Sequence, residues 1–116
     1  MSKPLIIITG ASSGIGEATA RRLSAAGHPL LLLARRVERL EGLALPHSLS
    51  RKVDITDRSA LLAAVAEAEA QFGPADALIN NAGVMLLGAM SEQDPAQWEQ
   101  MLDVNVKGLL NGVHAV

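Results

Sequence analysis

The sequence predicts an α/β architecture, a parallel sheet wound on both faces by helices, and three observations predict it. Short apolar runs suited to strands buried on both faces alternate with longer stretches whose apolar residues recur at helical spacing. A cluster of glycines sits between the first apolar run and the first helical stretch. Helix start and stop signals then punctuate the rest of the chain. The alternation of strand and helix is the mark of βαβ units. At 116 residues the chain fits one domain, residues 1–116, large enough for a real core. No internal repeat or interdomain linker interrupts it.

Taken in order, residues 5–8 form the first buried strand and residues 9–16 a glycine-rich turn. Ile15, Thr19, Leu23 and Ala26 then mark one face of a helix, stopped at Gly27. Residues 30–33 are a second buried strand, and residues 37–45 a short helix ended by Pro46. Residues 48–54 make a third strand. Residues 57–72 make an amphipathic helix with Leu61, Val65, Ala68 and Phe72 along one face, closed by Gly73 and Pro74. Residues 77–80 are the fourth strand. Asp94 and Pro95 supply a cap and a first-turn proline, with Gln97 three residues after the cap. Trp98, Leu102, Leu109 and Val113 follow on one face of the last helix. The rhythm stops inside that helix at Val116, so the fold is expected to be incomplete at the C-terminus.

Composition removes several function classes. The net charge is −2 with no basic block, so nucleic acid and anionic membrane have no electrostatic footprint here. The absence of cysteine excludes a disulfide framework and a zinc–thiolate site. His28, His47 and His114 lack ligand spacing, so no metal site is expected. The four apolar residues before Thr9 are too short for a signal peptide or membrane span, and a cytoplasmic protein is the expectation. Glu67 and Glu69 read as the solvated side of their helix. Residues 84–90 are an unusually apolar loop, either an edge of a substrate cleft or a surface buried against further chain.

The glycine turn, Thr9-Gly10-Ala11-Ser12-Ser13-Gly14-Ile15-Gly16, lies between a buried strand and a helix, the context of a phosphate cradle. Gly10 permits the tight turn, Gly14 lets backbone amides approach a pyrophosphate, and Gly16 lets the helix pack close to the strand. The helix N-terminus then offers unpaired N–H groups and a partial positive charge to the anion. An ordinary strand-to-helix turn needs one glycine rather than three. Gly10, Ser12, Ser13, Gly14, Ile15 and Gly16 are the candidate contacts.

The spacing Gly-x-x-x-Gly-x-Gly resembles that of the short-chain dehydrogenase/reductase family, and three further features carry the resemblance. They are Asp54 after the third strand, Asn80-Asn81-Ala82-Gly83 after the fourth, and Asn105 within Val104-Asn105-Val106-Lys107-Gly108. The resemblance implies a Rossmann-like fold whose strand order begins 3-2-1-4, and a nicotinamide dinucleotide cofactor. About twenty residues past such a turn, dinucleotide folds place the group that reads the adenosine ribose. This chain has Arg35 and Arg36 there, two guanidiniums suited to a 2′-phosphate, which favours NADP over NAD. The bland alternative is a pair of solvated arginines opening a helix, and Glu38 could partly neutralise them.

By resemblance, Asp54 accepts a hydrogen bond from the adenine amino group and Ile55 packs the base. Asp54 could instead be a turn or cap carboxylate. Asn81, Ala82 and Gly83 are implied contacts to the nicotinamide-side ribose, with Asn80 mainly a structural tether. Asn105 is implied to be the catalytic-site asparagine that holds a water in a proton relay. Its alternative is a satisfied core asparagine, since it shares the face of Trp98, Leu102 and Leu109. Family enzymes complete the site with a Ser and a Tyr-x-x-x-Lys pair, which cannot be mapped on a chain without tyrosine. The expected function is therefore hydride transfer between NADP(H) and a carbonyl or alcohol substrate. This chain would supply the cofactor-binding half and be inactive alone. A non-catalytic NADP-binding or regulatory module is the alternative. Family members are commonly dimers or tetramers, so a homo-oligomer is expected.

Overall fold

The computed structural model describes residues 3–12, 14–83 and 92–116. Four parallel strands, β1 (Leu5–Thr9), β2 (Leu30–Ala34), β3 (Ser48–Lys52) and β4 (Ala75–Ile79), lie in the order β3-β2-β1-β4. β1 and β2 are buried throughout, as their unbroken apolar sequences require of central parallel strands. Alternate residues of these strands face opposite sides of the sheet. Leu5, Ile7, Leu31 and Leu33 pack on one side with Leu61, Ala64, Val65 and Ala68 of α3 (Arg58–Phe72). Ile6, Ile8, Leu30 and Leu32 pack on the other with Ala20 of α1 (Gly14–Ala25) and Leu40 of α2 (Val37–Glu41). The sheet is doubly wound, as its sequence rhythm implies.

The helices differ from expectation in instructive ways. In α1 the buried residues are Gly16 and Ala20, whereas Ile15 is 77% exposed and Ala26 is exposed. Leu23 packs on the core as expected, but it does so beside the close-packed small residues rather than with Ile15 and Ala26. α2 stops at Glu41 rather than at residue 45. The Gly42 N–H closes the last turn on the Glu38 and Leu40 carbonyls, and Ala44 turns away with φ at 48°. β3 ends at Lys52, two residues early, because Asp54 enters a turn with Thr56. Asp57 caps α3 by accepting from the Ala60 N–H at 3.1 Å.

β4 begins at Ala75, two residues before the expected start. The Glu69 carboxylate accepts the Ala75 N–H at 2.8 Å and anchors the strand there. Its neighbour Glu67 makes a two-pronged ion pair with Arg51. The two glutamates assigned to a merely solvated face thus both have partners.

The final helical stretch is α4 (Pro95–Leu102), a π-helical segment (Asp103–Gly108) and α5 (Leu109–Ala115). Asp94 caps it as expected, accepting from the Ala96 N–H. The expected inward face is not the buried one. Leu102, Leu109 and Val113 are exposed, and Gly108, Asn111 and Gly112 are buried. The π segment rotates the residues that follow it, Leu109 and Val113 among them, away from the positions that 3.6-residue spacing assigns. Among the described residues, no helix is long and apolar enough to cross a membrane. Residues 84–90, the apolar loop of the sequence, lie outside the described residues.

Candidate cofactor-binding site

The carboxyl ends of the four strands meet the loops that follow them, and Thr9 ties two of these ends together. Its hydroxyl is buried, 1% exposed, and accepts the backbone N–H groups of Asn81 and Ala82 at 3.0 Å each. It also points at the Ile79 carbonyl, at 3.4 Å. The Asn81 side chain returns the connection, donating from Nδ2 to the Gly10 carbonyl at 3.1 Å. The segment after β4 is thereby laced to the glycine turn after β1.

That lacing leaves no room for side chains. A Cβ on Gly10 would stand 3.0 Å from the Cα and N of Ala82, and the residue has φ at 64°. A Cβ on Gly16 would overlap the Gly10 carbonyl oxygen and stand 2.7 Å from Asn81 Nδ2. Gly14 differs: space around it is open, and its φ of 58° is what selects glycine. The turn therefore presents backbone, with α1 starting at its end, which fits a pyrophosphate accepting backbone N–H bonds at a helix N-terminus.

Beside the turn runs a cleft of about 350 Å³. Thr9, Gly10 and Ser12 line it from the turn, Arg35, Arg36 and Arg39 from beyond β2, and Asp54 and Ile55 from beyond β3. Asn81, Ala82 and Gly83 line it from beyond β4, and Val104 from the π segment. The candidate residues from four separate loops thus meet in one cleft. Gly14, Ile15 and Gly16 do not line it: Gly16 is buried behind Gly10, and Ile15 projects outward. Ser13 lies outside the described residues. A second cleft of about 240 Å³ opens between Arg35, Asp54 and Thr56 on one side and Glu99, Gln100 and Asp103 on the other.

The charges are arranged for an anion at one end. Arg35, Arg36 and Arg39 all reach the cleft, and among the described residues Glu38 forms no ion pair with any of them. Arg39 was not among the sequence candidates. Its spacing, three and four residues beyond the pair, is the signal that a helical turn would bring it to their side.

Asp54 is both cleft-lining and a turn carboxylate. Its Oδ1 accepts the Thr56 hydroxyl at 2.7 Å and the Thr56 N–H at 3.0 Å. These bonds, hydroxyl first, hold the carboxyl below the usual aspartate range, and the Arg35 charge adds to the effect. Neither bond uses Oδ2.

Asn105 belongs to the π segment and is exposed, not buried as its place on the apolar face implied. Its Oδ1 would lie 3.3 Å from a Cβ placed on Gly83, so its side chain stands at the β4 end of the cleft. The buried asparagine of this helix is Asn111, which sequence reasoning missed because the π segment moves it inward. Asn80, expected as a tether, donates from Nδ2 to the Leu109 carbonyl at 3.1 Å.

The comparisons with known proteins agree with this geometry. The model of the short chain dehydrogenase family matches residues 4–116. An uncharacterized oxidoreductase of Listeria innocua is 45% identical over 118 residues, an alignment covering 97% of this chain and 48% of that protein. The 3-ketoacyl-(acyl-carrier-protein) reductase from Brucella melitensis complexed with NADH superposes with a TM-score of 0.91 at 29% identity, covering 97% of this chain and 48% of that one. An alcohol dehydrogenase from the archaeon Thermococcus sibiricus complexed with 5-hydroxy-NADP superposes with a TM-score of 0.89 at 29% identity, covering 97% and 51%. The chain spans about half the length of these relatives. Matched over nearly its whole length in sequence and in fold, this chain belongs to the short chain dehydrogenase family.

Proposed function

We propose that this chain is the NADP(H)-binding half of an oxidoreductase that transfers hydride between the nicotinamide and a carbonyl or alcohol substrate. The observation that carries the reading is the trio Arg35, Arg36 and Arg39, lining the same cleft as the glycine turn and the segment after β4. Family neighbours with NADH and with 5-hydroxy-NADP show that membership alone does not choose the cofactor. The arginines favour NADP: a 2′-phosphate carries nearly two negative charges and accepts forked guanidinium bonds, whereas the ribose hydroxyls of NAD are usually met by a carboxylate.

In this reading the dinucleotide lies along the cleft. Its pyrophosphate rests against the turn at Gly10 and Ser12, and Ile55 and Val104 border the adenine. The Oδ2 of Asp54 is the acceptor for the adenine amino group, Oδ1 being taken by Thr56. Asn81, Ala82 and Gly83 border the nicotinamide-side ribose, and Asn105, next to Gly83, holds a water for proton relay. The bound cofactor supplies the hydride-transferring ring. Exposed Leu102, Leu109 and Val113 on the last helical stretch support a homo-oligomer as part of the same reading.

The test is equilibrium titration of the full-length protein with NADPH and NADH. NADPH is expected to bind at least tenfold more tightly, the effect of one or more charge-assisted bonds worth about 1.5–3 kcal/mol each. Equal affinities would remove the 2′-phosphate role, and binding of neither would remove the dinucleotide reading.

A further inference from the structure

Asn111 is 3% exposed, in a helix whose large apolar residues face outward, and each end of its amide is engaged. Its Nδ2 donates to the Ile55 carbonyl at 3.1 Å, and its Oδ1 accepts from Arg58 Nε at 3.2 Å. One turn earlier, Gly108 meets the same residue from the same helix: a Cβ there would stand 2.5 Å from Ile55 Cγ2. Ile55 itself lines the cleft beside Asp54. The helical stretch that grips it also carries Val104, which lines the same cleft, and Asn105.

We infer that Asn111 is a positioning residue for cofactor binding, holding the Asp54–Ile55 turn at a fixed distance from the Val104–Asn105 segment. It rests on the dinucleotide reading given above. Hydrophobic packing alone does not fix this distance, because the helix presents glycines and an amide inward. The directional bond to the Ile55 carbonyl does. Without it the turn after β3 samples positions in which Ile55 and Asp54 no longer face Val104. Cofactor affinity then falls in proportion to the population that remains competent. The chemical step, which does not touch Asn111, is left alone once cofactor saturates.

The experiment uses the full-length protein and two variants. Asn111→Asp keeps the shape and an acceptor for Arg58 but loses the donor to Ile55. Arg58→Met removes the outer side of the clamp and leaves Asn111 in place. Asn111→Asp should raise the Kd for NADPH about tenfold, corresponding to a competent fraction of about one tenth. At saturating NADPH, kcat should stay within about twofold of wild type. Arg58→Met should raise Kd in the same direction by a smaller factor. Unchanged Kd in both variants would overturn the proposal, as would a fall in kcat and melting temperature with Kd unchanged. If Asn111→Asp does not fold, Arg58→Met decides by the same readouts. Failure of wild type to bind either NADPH or NADH would instead sink the dinucleotide reading, which separates the two outcomes.

Discussion

The hydroxyl of Thr9 accepts the backbone N–H of Asn81 at 3.0 Å, joining residues 72 positions apart at the ends of adjacent strands. The same oxygen accepts the Ala82 N–H, so one buried atom orders the loop that borders the glycine turn. Thr9→Val keeps the side-chain shape but takes the acceptor from the Ala82 N–H and leaves the Asn81 N–H only the Ile79 carbonyl, at 3.1 Å. Leaving a buried donor unpaired costs about 1–3 kcal/mol, so denaturant unfolding should show a loss of this size. Thr9→Ser, which keeps the oxygen, should lose much less. Equal losses in the two variants would mean that packing of the methyl, not the hydrogen bonds, is what Thr9 contributes.

The glycines of the turn should separate by mechanism. Gly16→Ala drives a methyl into the Gly10 carbonyl, a backbone group that cannot swing aside, and against Asn81 Nδ2. Overpacking of this kind costs about 1–3 kcal/mol, occasionally more, and should displace the lacing and weaken cofactor binding together. Gly14→Ala meets no atom and suffers only from its positive φ, at about 1–2 kcal/mol. Urea unfolding of both variants checks the order. Gly14→Val should weaken binding of either dinucleotide, because a β-branched residue resists the positive φ at which the turn presents its backbone, and titration with each cofactor reads this.

Reversing one charge of the arginine trio should change cofactor preference. A hydrogen bond from a charged group contributes about 1.5–3 kcal/mol, or roughly tenfold to over a hundredfold in affinity. Arg35→Asp should therefore lower the NADP/NAD preference at least tenfold, and Arg39→Gln should lower it by a smaller factor in the same direction. Titration of both cofactors against each variant measures this. An unchanged ratio would take that arginine out of the 2′-phosphate site.

Thr56 should control the titration of Asp54. The carboxyl is held below its ordinary value chiefly by the Thr56 hydroxyl, so Thr56→Val should raise its pKa toward the ordinary value of about 3.9. A depressed pKa stabilises the fold above the unfolded-state value, and that stability disappears as pH falls through the folded value. The advantage of wild type over Thr56→Val should thus be full above about pH 4 and shrink on further acidification. Carboxyl-carbon NMR of Asp54, with unfolding measured across the same range, reads both effects. A carboxyl that titrates identically in the variant would show that the Thr56 hydroxyl does not set its pKa.

The sequence by itself determined the alternation of strands and helices, because unbroken apolar runs such as Leu30–Ala34 have no other place than the middle of a parallel sheet. It also determined the glycine turn and the cap at Asp94, since each depends on residues within a few positions of one another. Local chemistry is legible locally. What it could not show is which surface of a helix meets the sheet when small residues decide. The last helical stretch has an apolar periodicity that points outward, because Gly108 and Gly112 let its backbone approach Ile55 and Asn80. Hydrophobicity does not register such an approach. The anchors of the cleft were hidden for a related reason. Thr9 with Asn81 and Asn111 with Ile55 are hydrogen bonds made once the chain has folded, both across more than fifty residues. A side-chain amide or hydroxyl carries no mark of its partner. Only the tertiary structure decides whether it faces water or a buried backbone group whose unpaired state would be costly.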